Sequence, residues 1–461
     1  MKRLLSIVLA AAMSVSLFGC SGGGGAASSA APSSAAPSSE AASGEASSEA
    51  ASSEASQPAT ISIWQTPKDV SQVTLDLQEG FKKAYPEITL NIIQTPKDAD
   101  ILSAMAAGNA PSILINGYPS FQTLIYQGAY LPIDDYIAKT PDFKNFETTQ
   151  VETFALNGKH YGVPGGKYAL AFQYHKSLFK AAGITEPPKT WDEFFEDCKK
   201  LTVPDKQQYG FALNGAQWAG WHFEMWVWGA GGDVTKQNDD GTLSLTFADP
   251  AAIKAAEFYR KLEKANVIQS DRNMQIDALE RDFGQSKAAM IIGSLGDASG
   301  VTKNGGKPED IGFFNFPAGP SGKGYNIDGG DGTGIVFTND KNVADAAWKY
   351  IMFMNSKDAV TKGYKFKATQ GPWVPIICPR TDIDMTQFGE VDPAVQKIVD
   401  EGGKLAKHEY YGKGAVGTFL DDAVAKIFGD TNTDIEKTLK DAEGKAKSAV
   451  DEFNAQIKNK K

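Results

Sequence analysis

Residues 60–115 read TISIWQTPKDVSQVTLDLQEGFKKAYPEITLNIIQTPKDADILSAMAAGNAPSILI. Ile61 and Ile63 alternate with polar neighbours, the period of a half-buried strand. From Val70 onward, Val73, Leu77, Phe81 and Tyr85 recur at helical spacing, and Pro86 ends the helix. Ile88, Leu90 and Ile92 alternate as a second strand. Ile101 to Ala107 spells a short helix closed by Gly108, and Ser112 to Ile115 a third apolar strand. Strand, helix, strand, helix, strand predicts a parallel sheet flanked by helices, an α/β fold.

The pattern continues toward the C-terminus. Thr190 and Glu193 have capping-box spacing ahead of Phe194, Phe195 and Leu201. Asp249-Pro250 has the form of an N-cap followed by proline at the first helical position, ahead of Ile253, Ala256, Phe258 and Leu262. Ala288 to Ile292 and Gly334 to Phe337 are predicted strands, and Val343 to Met354 a predicted helix. A final helix carries Ile435, Leu439, Ala442, Ala446, Val450, Phe453 and Ile457 on one stripe. The 461 residues suffice for two cores of ordinary domain size. A net charge of -10 argues against nucleic acid as a partner.

Upstream of Thr60 the chain is an address. Met1-Lys2-Arg3 is basic, Leu4 to Phe18 is apolar, and Gly19-Cys20 follows, the layout of a signal peptide over residues 1–19. The apolar run is short of the roughly 20 residues that a spanning helix needs. Leu17-Phe18-Gly19-Cys20 resembles the bacterial lipobox, which implies a lipid (palmitate included) on Cys20. Residues 20–57 are otherwise Ser, Ala, Gly, Pro and Glu, with Gln57 at the end, and hold no aromatic or large aliphatic side chain, a composition that cannot offset its own ordering entropy and predicts a flexible tether. The expected location is the outer face of the cell membrane, in a Gram-positive envelope that lacks an outer membrane to retain a soluble binder.

Residues 156–201, LNGKHYGVPGGKYALAFQYHKSLFKAAGITEPPKTWDEFFEDCKKL, carry Tyr161 to Pro164, Tyr174-His175-Lys176, Leu178-Phe179, Ala182-Gly183-Ile184 and Pro187 to Trp191. These elements, in this order, resemble the extracellular solute-binding proteins of bacterial carbohydrate-uptake ABC transporters. Phe283 to Ser294, Ile311 to Gly319 and Ala344 to Met354 continue the likeness; His175 stands where the family usually has asparagine, and Leu295 where an aromatic is usual. The resemblance implies a two-lobed, periplasmic-binding-protein-like fold (type II) with the ligand in the cleft. Crossovers are then expected near Tyr168, Ile292 and Lys367 to Gly371. They make one lobe of 58–168 with 293–368 and the other of 169–292 with 369–461. The implied activity is capture of a mono- or oligosaccharide and delivery to the permease subunits by a monomer, without catalysis. The alternatives are a non-sugar solute in the same fold and a surface-anchored glycoside hydrolase.

Ligands of α/β sheets sit beyond the carboxyl ends of strands. That selects Trp64, Gln65 and Thr66, then Asn116, Gly117 and Tyr118, then Tyr168 at the first crossover and Ser294 at the second. The glycine-rich Asp328 to Gly332 is expected as a turn carrying Asp331. QWAGWHFEMWVW, residues 217–228, holds four of the eight tryptophans. A sugar offers flat C–H faces to an indole and hydroxyls to polar groups. Trp218, Trp221 and Trp373 are the expected binders, Trp226 and Trp228 expected core, and Trp191 and Trp348 expected helix packing. Of five arginines none falls in these loops, which favours a neutral ligand over an anionic one. Cys198 and Cys378 are expected as separate buried thiols. No metal-ligand spacing, phosphate loop or nucleophile elbow is present, so neither cofactor nor metal is expected.

Overall fold

The computed structural model describes residues 58–65, 70–95, 101–295, 299–369, 378–389 and 393–458. The main strands are β1 (Ala59–Trp64), β2 (Ile88–Ile93), β3 (Ile113–Gly117), β4 (Gly162–His175), β5 (Met290–Ser294), β6 (Ile311–Phe314), β7 (Asn326–Ile335) and β8 (Ala406–His408). The main helices are α1 (Gln72–Ala84), α2 (Ile101–Ala106), α3 (Tyr118–Tyr126), α4 (Trp191–Leu201), α5 (Ala219–Ala230), α6 (Pro250–Lys264), α7 (Lys341–Met354), α8 (Lys413–Gly429) and α9 (Ile435–Lys458).

The opening segment folds as its pattern dictates. β1 runs parallel to β2 with Ile61 opposite Leu90, and parallel to β3 through Ile63 and Ile113. Ile61, Ile63, Ile88, Leu90 and Ile113 bury their apolar faces against Phe81 of α1 and Trp348 and Ile351 of α7. At the start of α4, Thr190 Oγ1 accepts from Glu193 N at 3.2 Å, and the Glu193 carboxylate accepts from Lys189 N at 2.6 Å, one residue before the expected capping-box partner. At α6 the proline occupies the first turn, but Asp249 makes no side-chain cap.

One sheet of eight strands serves both lobes, in the order β6-β4-β7-β3-β1-β2, with β5 on β4 and β8 on β7. β4 and β7 pair antiparallel from Gly162–Gly334 to Ala169–Asp328. The first half of β4 therefore belongs to the cluster around β1, and its second half, carrying Leu170 and Phe172, to a larger cluster with Phe194, Phe211, Trp226, Leu262, Leu420 and Phe453. Asp328 to Gly332, expected as a turn, lies inside β7. Its glycines are needed for close approach: a Cβ on Gly329 would fall 2.2 Å from the Tyr168 ring, and one on Gly332 2.4 Å from the Phe154 ring.

Packing divides the chain at other points than 293 and 368. Leu295, Val301, Ile311 and Phe313 pack with Phe283 and Ile291, and Phe314, Phe316 and Ile327 with the larger cluster, all on the second lobe's side. Leu295 N donates to Ala169 O, extending the β4–β5 pairing by one residue. Conversely, buried Arg380 reaches the first lobe, where its guanidinium pairs with Asp142 (2.7 Å) and Asp382 (2.9 Å) and lies over Phe146. Cys198 is buried and Cys378 partly buried, and both are free. Cys20, Thr66 and Trp373 lie outside the described residues.

Candidate functional site

α5 explains the tryptophan cluster. It is mostly buried and, His222 and Glu224 apart, apolar, and Trp226 (0% exposed) packs among Trp191, Phe194 and Phe258. Trp228 is buried too, and Trp191 and Trp348 are helix packing as expected. The amino end of α5 differs. Trp218 is 47% exposed and adopts a left-handed backbone (φ 68°), a costly conformation for a side chain of this size. Asp421 of α8 holds it there: Oδ2 accepts from Trp218 N at 3.0 Å and Oδ1 from Gly220 N at 2.7 Å. Burial raises the Asp421 carboxyl above its ordinary range, and the two N–H donors pull against that.

Trp218 opens onto a cavity of about 590 Å³ between the lobes. Gly117, Pro119 and Ser120 line it from the first lobe; Tyr168, Gln217, Trp218, Trp221 and Ser294 line it from the other side, with Glu409, Lys413 and Asp421. The three aromatic rings form a stepped wall. Trp218 meets Trp221 edge to face at 6.3 Å, and Trp221 meets Tyr168 edge to face at 6.3 Å. Lys413 Nζ lies 4.6 Å over the Trp221 ring and 2.9 Å from Glu409 Oε1, which also accepts from Tyr168 OH at 3.1 Å. Burial and the Glu409 charge push the Tyr168 phenol well above its usual range. The lysine's charge is thus taken up by a carboxylate and an indole face.

The polar groups are of both kinds. The Trp221 indole N–H is buried with no acceptor among the described residues. The first turns of α3 and α8 line the cavity, and neither helix has a side-chain cap. Asp331 Oδ1 lies 3.7 Å from the Cβ position of Gly117. Asp331 is open to solvent in a concave stretch of surface, where surrounding protein and the Glu409 charge raise its pKa. Behind the wall, Glu224 is fully buried; its Oε2 accepts from Tyr410 N at 2.9 Å, and burial pushes its carboxyl far up.

The structure therefore brings Gly117, Tyr168, Trp218, Trp221 and Ser294 to one cavity, with Asp331 at its edge. Trp64 and Asn116 line a separate chamber. Gln65 is held by Gln78, whose Nε2 donates to it at 2.8 Å. Tyr118 packs on His408 with ring centroids 4.4 Å apart. Sequence reasoning missed Gln217, Glu409, Lys413 and Asp421. The signal for Glu409 and Lys413 was HEYYGKG, residues 408–414, an aromatic and glycine cluster like the one around Trp221.

Comparison with known proteins agrees with this architecture. The family model described as bacterial extracellular solute-binding protein matches residues 65–361. A binding protein of Brucella abortus is 28% identical over 376 residues, covering 76% of this chain and 88% of its own. The maltotriose-binding protein of Pyrococcus abyssi is 24% identical over 389 residues, 80% of this chain and 77% of its own. The Listeria monocytogenes ABC substrate-binding protein solved with cycloalternan superposes with a TM-score of 0.67 at 19% identity, covering 85% of this chain and 99% of that one.

Proposed function

This chain belongs to the bacterial extracellular solute-binding protein family, and from that premise we propose that it captures a carbohydrate in the 590 Å³ cavity and presents it to an ABC permease. The observation that carries the ligand class is the stepped wall of Trp218, Trp221 and Tyr168 beside donors and acceptors together. A hydroxyl both donates and accepts. The Asp331 carboxylate can accept its hydrogen bond, while the first turns of α3 and α8 can serve its lone pairs. The indole faces take the flat C–H faces of a pyranose. The relatives whose names mention maltotriose and cycloalternan support the same class. Trp373 and Thr66 remain proposed contacts from their place in the chain.

In this reading the ligand closes the two lobes about β4 and β7, and the closed form docks on the permease. The lipid on Cys20 and the tether of residues 20–57 keep the binder near the membrane, and the ligand leaves chemically unchanged. Calorimetry against mono- and oligosaccharides tests the ligand class. Binding of none of them, with tight binding of a peptide or metal ion, would reject it. Loss of a palmitate-analogue label in Cys20→Ser tests the anchor. One feature favours a second reading, an anionic polyol: two helix amino ends without side-chain caps face the cavity. Including glycerol 3-phosphate in the panel separates the two.

A further inference from the structure

Helix α8 begins with a cation where a helix tolerates one least. Lys413 is its first residue, at the amino end whose dipole repels positive charge. The segment before it is pinned on several sides. His408 closes β8 against Asp328 of β7, Tyr410 N donates to Glu224 Oε2 at 2.9 Å, and Thr235 Oγ1 donates to Tyr411 O at 2.8 Å. Glu409, between these anchors, turns its carboxylate onto Lys413. The Glu409 side chain is 5% exposed and that of Lys413 23%. A single oxygen, Glu409 Oε1, accepts from both Lys413 Nζ and Tyr168 OH.

Without that carboxylate the cavity would favour an anion. The amino ends of α3 and α8 line it with no side-chain cap, and Lys413 is the one lining cation among the described residues. Glu409 offsets the ammonium at 2.9 Å. Its field reaches the cavity edge, where burial and then the Glu409 charge raise the Asp331 carboxyl. An anionic group brought to Lys413 would find the ammonium already engaged and a buried like charge beside it. A hydroxyl meets no such repulsion. Resting on the carbohydrate reading above, we infer that Glu409 is a specificity-determining residue of the site: it occupies Lys413, holds the Tyr168 ring, and so makes the cavity select uncharged sugars over their anionic counterparts.

Calorimetry, by competition where binding is weak, tests this on matched pairs: glucose with glucuronate, N-acetylglucosamine with N-acetylmuramate, and maltotriose with maltotriose phosphorylated on a terminal C6 hydroxyl. In whichever pair binds, wild type should prefer the neutral member at least about tenfold, equivalent to about 1.4 kcal/mol. Glu409→Gln keeps the size and an acceptor for Tyr168 but releases Lys413, so the preference should shrink by about tenfold. Adding Lys413→Gln to that variant should raise the preference again. Lys413→Gln alone, which leaves the carboxylate in place, should hold it at or above the wild-type value. Equal or tighter binding of the anionic member by wild type would overturn the inference. So would an unchanged preference in Glu409→Gln, or a fall in Lys413→Gln; each leaves the carbohydrate reading standing. Failure of every member of every pair to bind would remove that reading and this inference with it.

Discussion

Asp421→Ala should weaken sugar binding although the side chain is already engaged with backbone. Both carboxylate oxygens accept N–H groups at the amino end of α5, from Trp218 and Gly220. Losing such a cap typically costs about 1–2 kcal/mol. The left-handed backbone of Trp218 by itself costs about 1–2 kcal/mol. The cap and the strain are therefore of similar size, and without Asp421 the strained conformer loses its advantage. Each 1.4 kcal/mol removed from the competent conformer lowers apparent affinity about tenfold, so a loss of about tenfold is expected. Asp421→Asn keeps one acceptor and sheds a charge held against burial, so its affinity should fall between the two. A double-mutant cycle with Trp218→Ala, read by calorimetry, isolates the coupling. If Asp421 acts by holding Trp218, its replacement should add little once the indole is gone. Fully additive losses would refute the reasoning.

Three other perturbations follow from buried groups. His222 is buried against Trp221 with its pKa pushed down to about 3 by burial and then by Lys413. The unfolded chain binds that proton below about pH 6.5, so the stability His222 allows is present above that value. It is lost at about 1.4 kcal/mol per pH unit as pH falls toward 3. His222→Phe should flatten the difference between urea titrations at pH 7 and pH 4, and an unchanged slope would count against it. Glu224 has the opposite sign: its raised pKa leaves stability intact below the unfolded carboxyl value and erodes it as pH rises. Glu224→Gln should therefore gain stability over wild type at pH 8 and little at pH 4, which differential thermal melts would show. Arg380→Ala removes a buried guanidinium from Asp142 and Asp382, both partly open to water. It should lower unfolding free energy by about 3 kcal/mol, the low end for breaking a buried pair, and a change inside urea-titration error would show the network to be dispensable.

Local pattern carried the fold a long way. The alternation in β1 and β2, the stripe of α1 and the Thr190 cap are decided by neighbours within a few residues, and they form where spacing places them. Trp226 separates from Trp218 for a similar reason: one lies inside an apolar helix, the other before its first turn. Asp421 could not be found this way. Its partners are 203 and 201 residues earlier, and an aspartate on a helix has no local mark of capping a different helix. Glu409 meets Tyr168 across 241 residues. Asp328 to Gly332 has turn composition, yet the crowding of Tyr168 and Phe154 against β7 makes glycine a packing necessity in extended backbone.

The eight-stranded sheet also bears on how the chain is made. β3 completes its pairing only with β7, and the apolar face of β1 is covered by α7, some 280 residues later. Arg380 closes the same lobe later still. The amino-terminal half cannot finish a core while it emerges from the ribosome, because the strand and helix that seal it have yet to be synthesised. Maturation therefore waits on nearly the whole polypeptide, a delay that suits a protein of an extracellular family, whose chain must stay pliable until translocation is over.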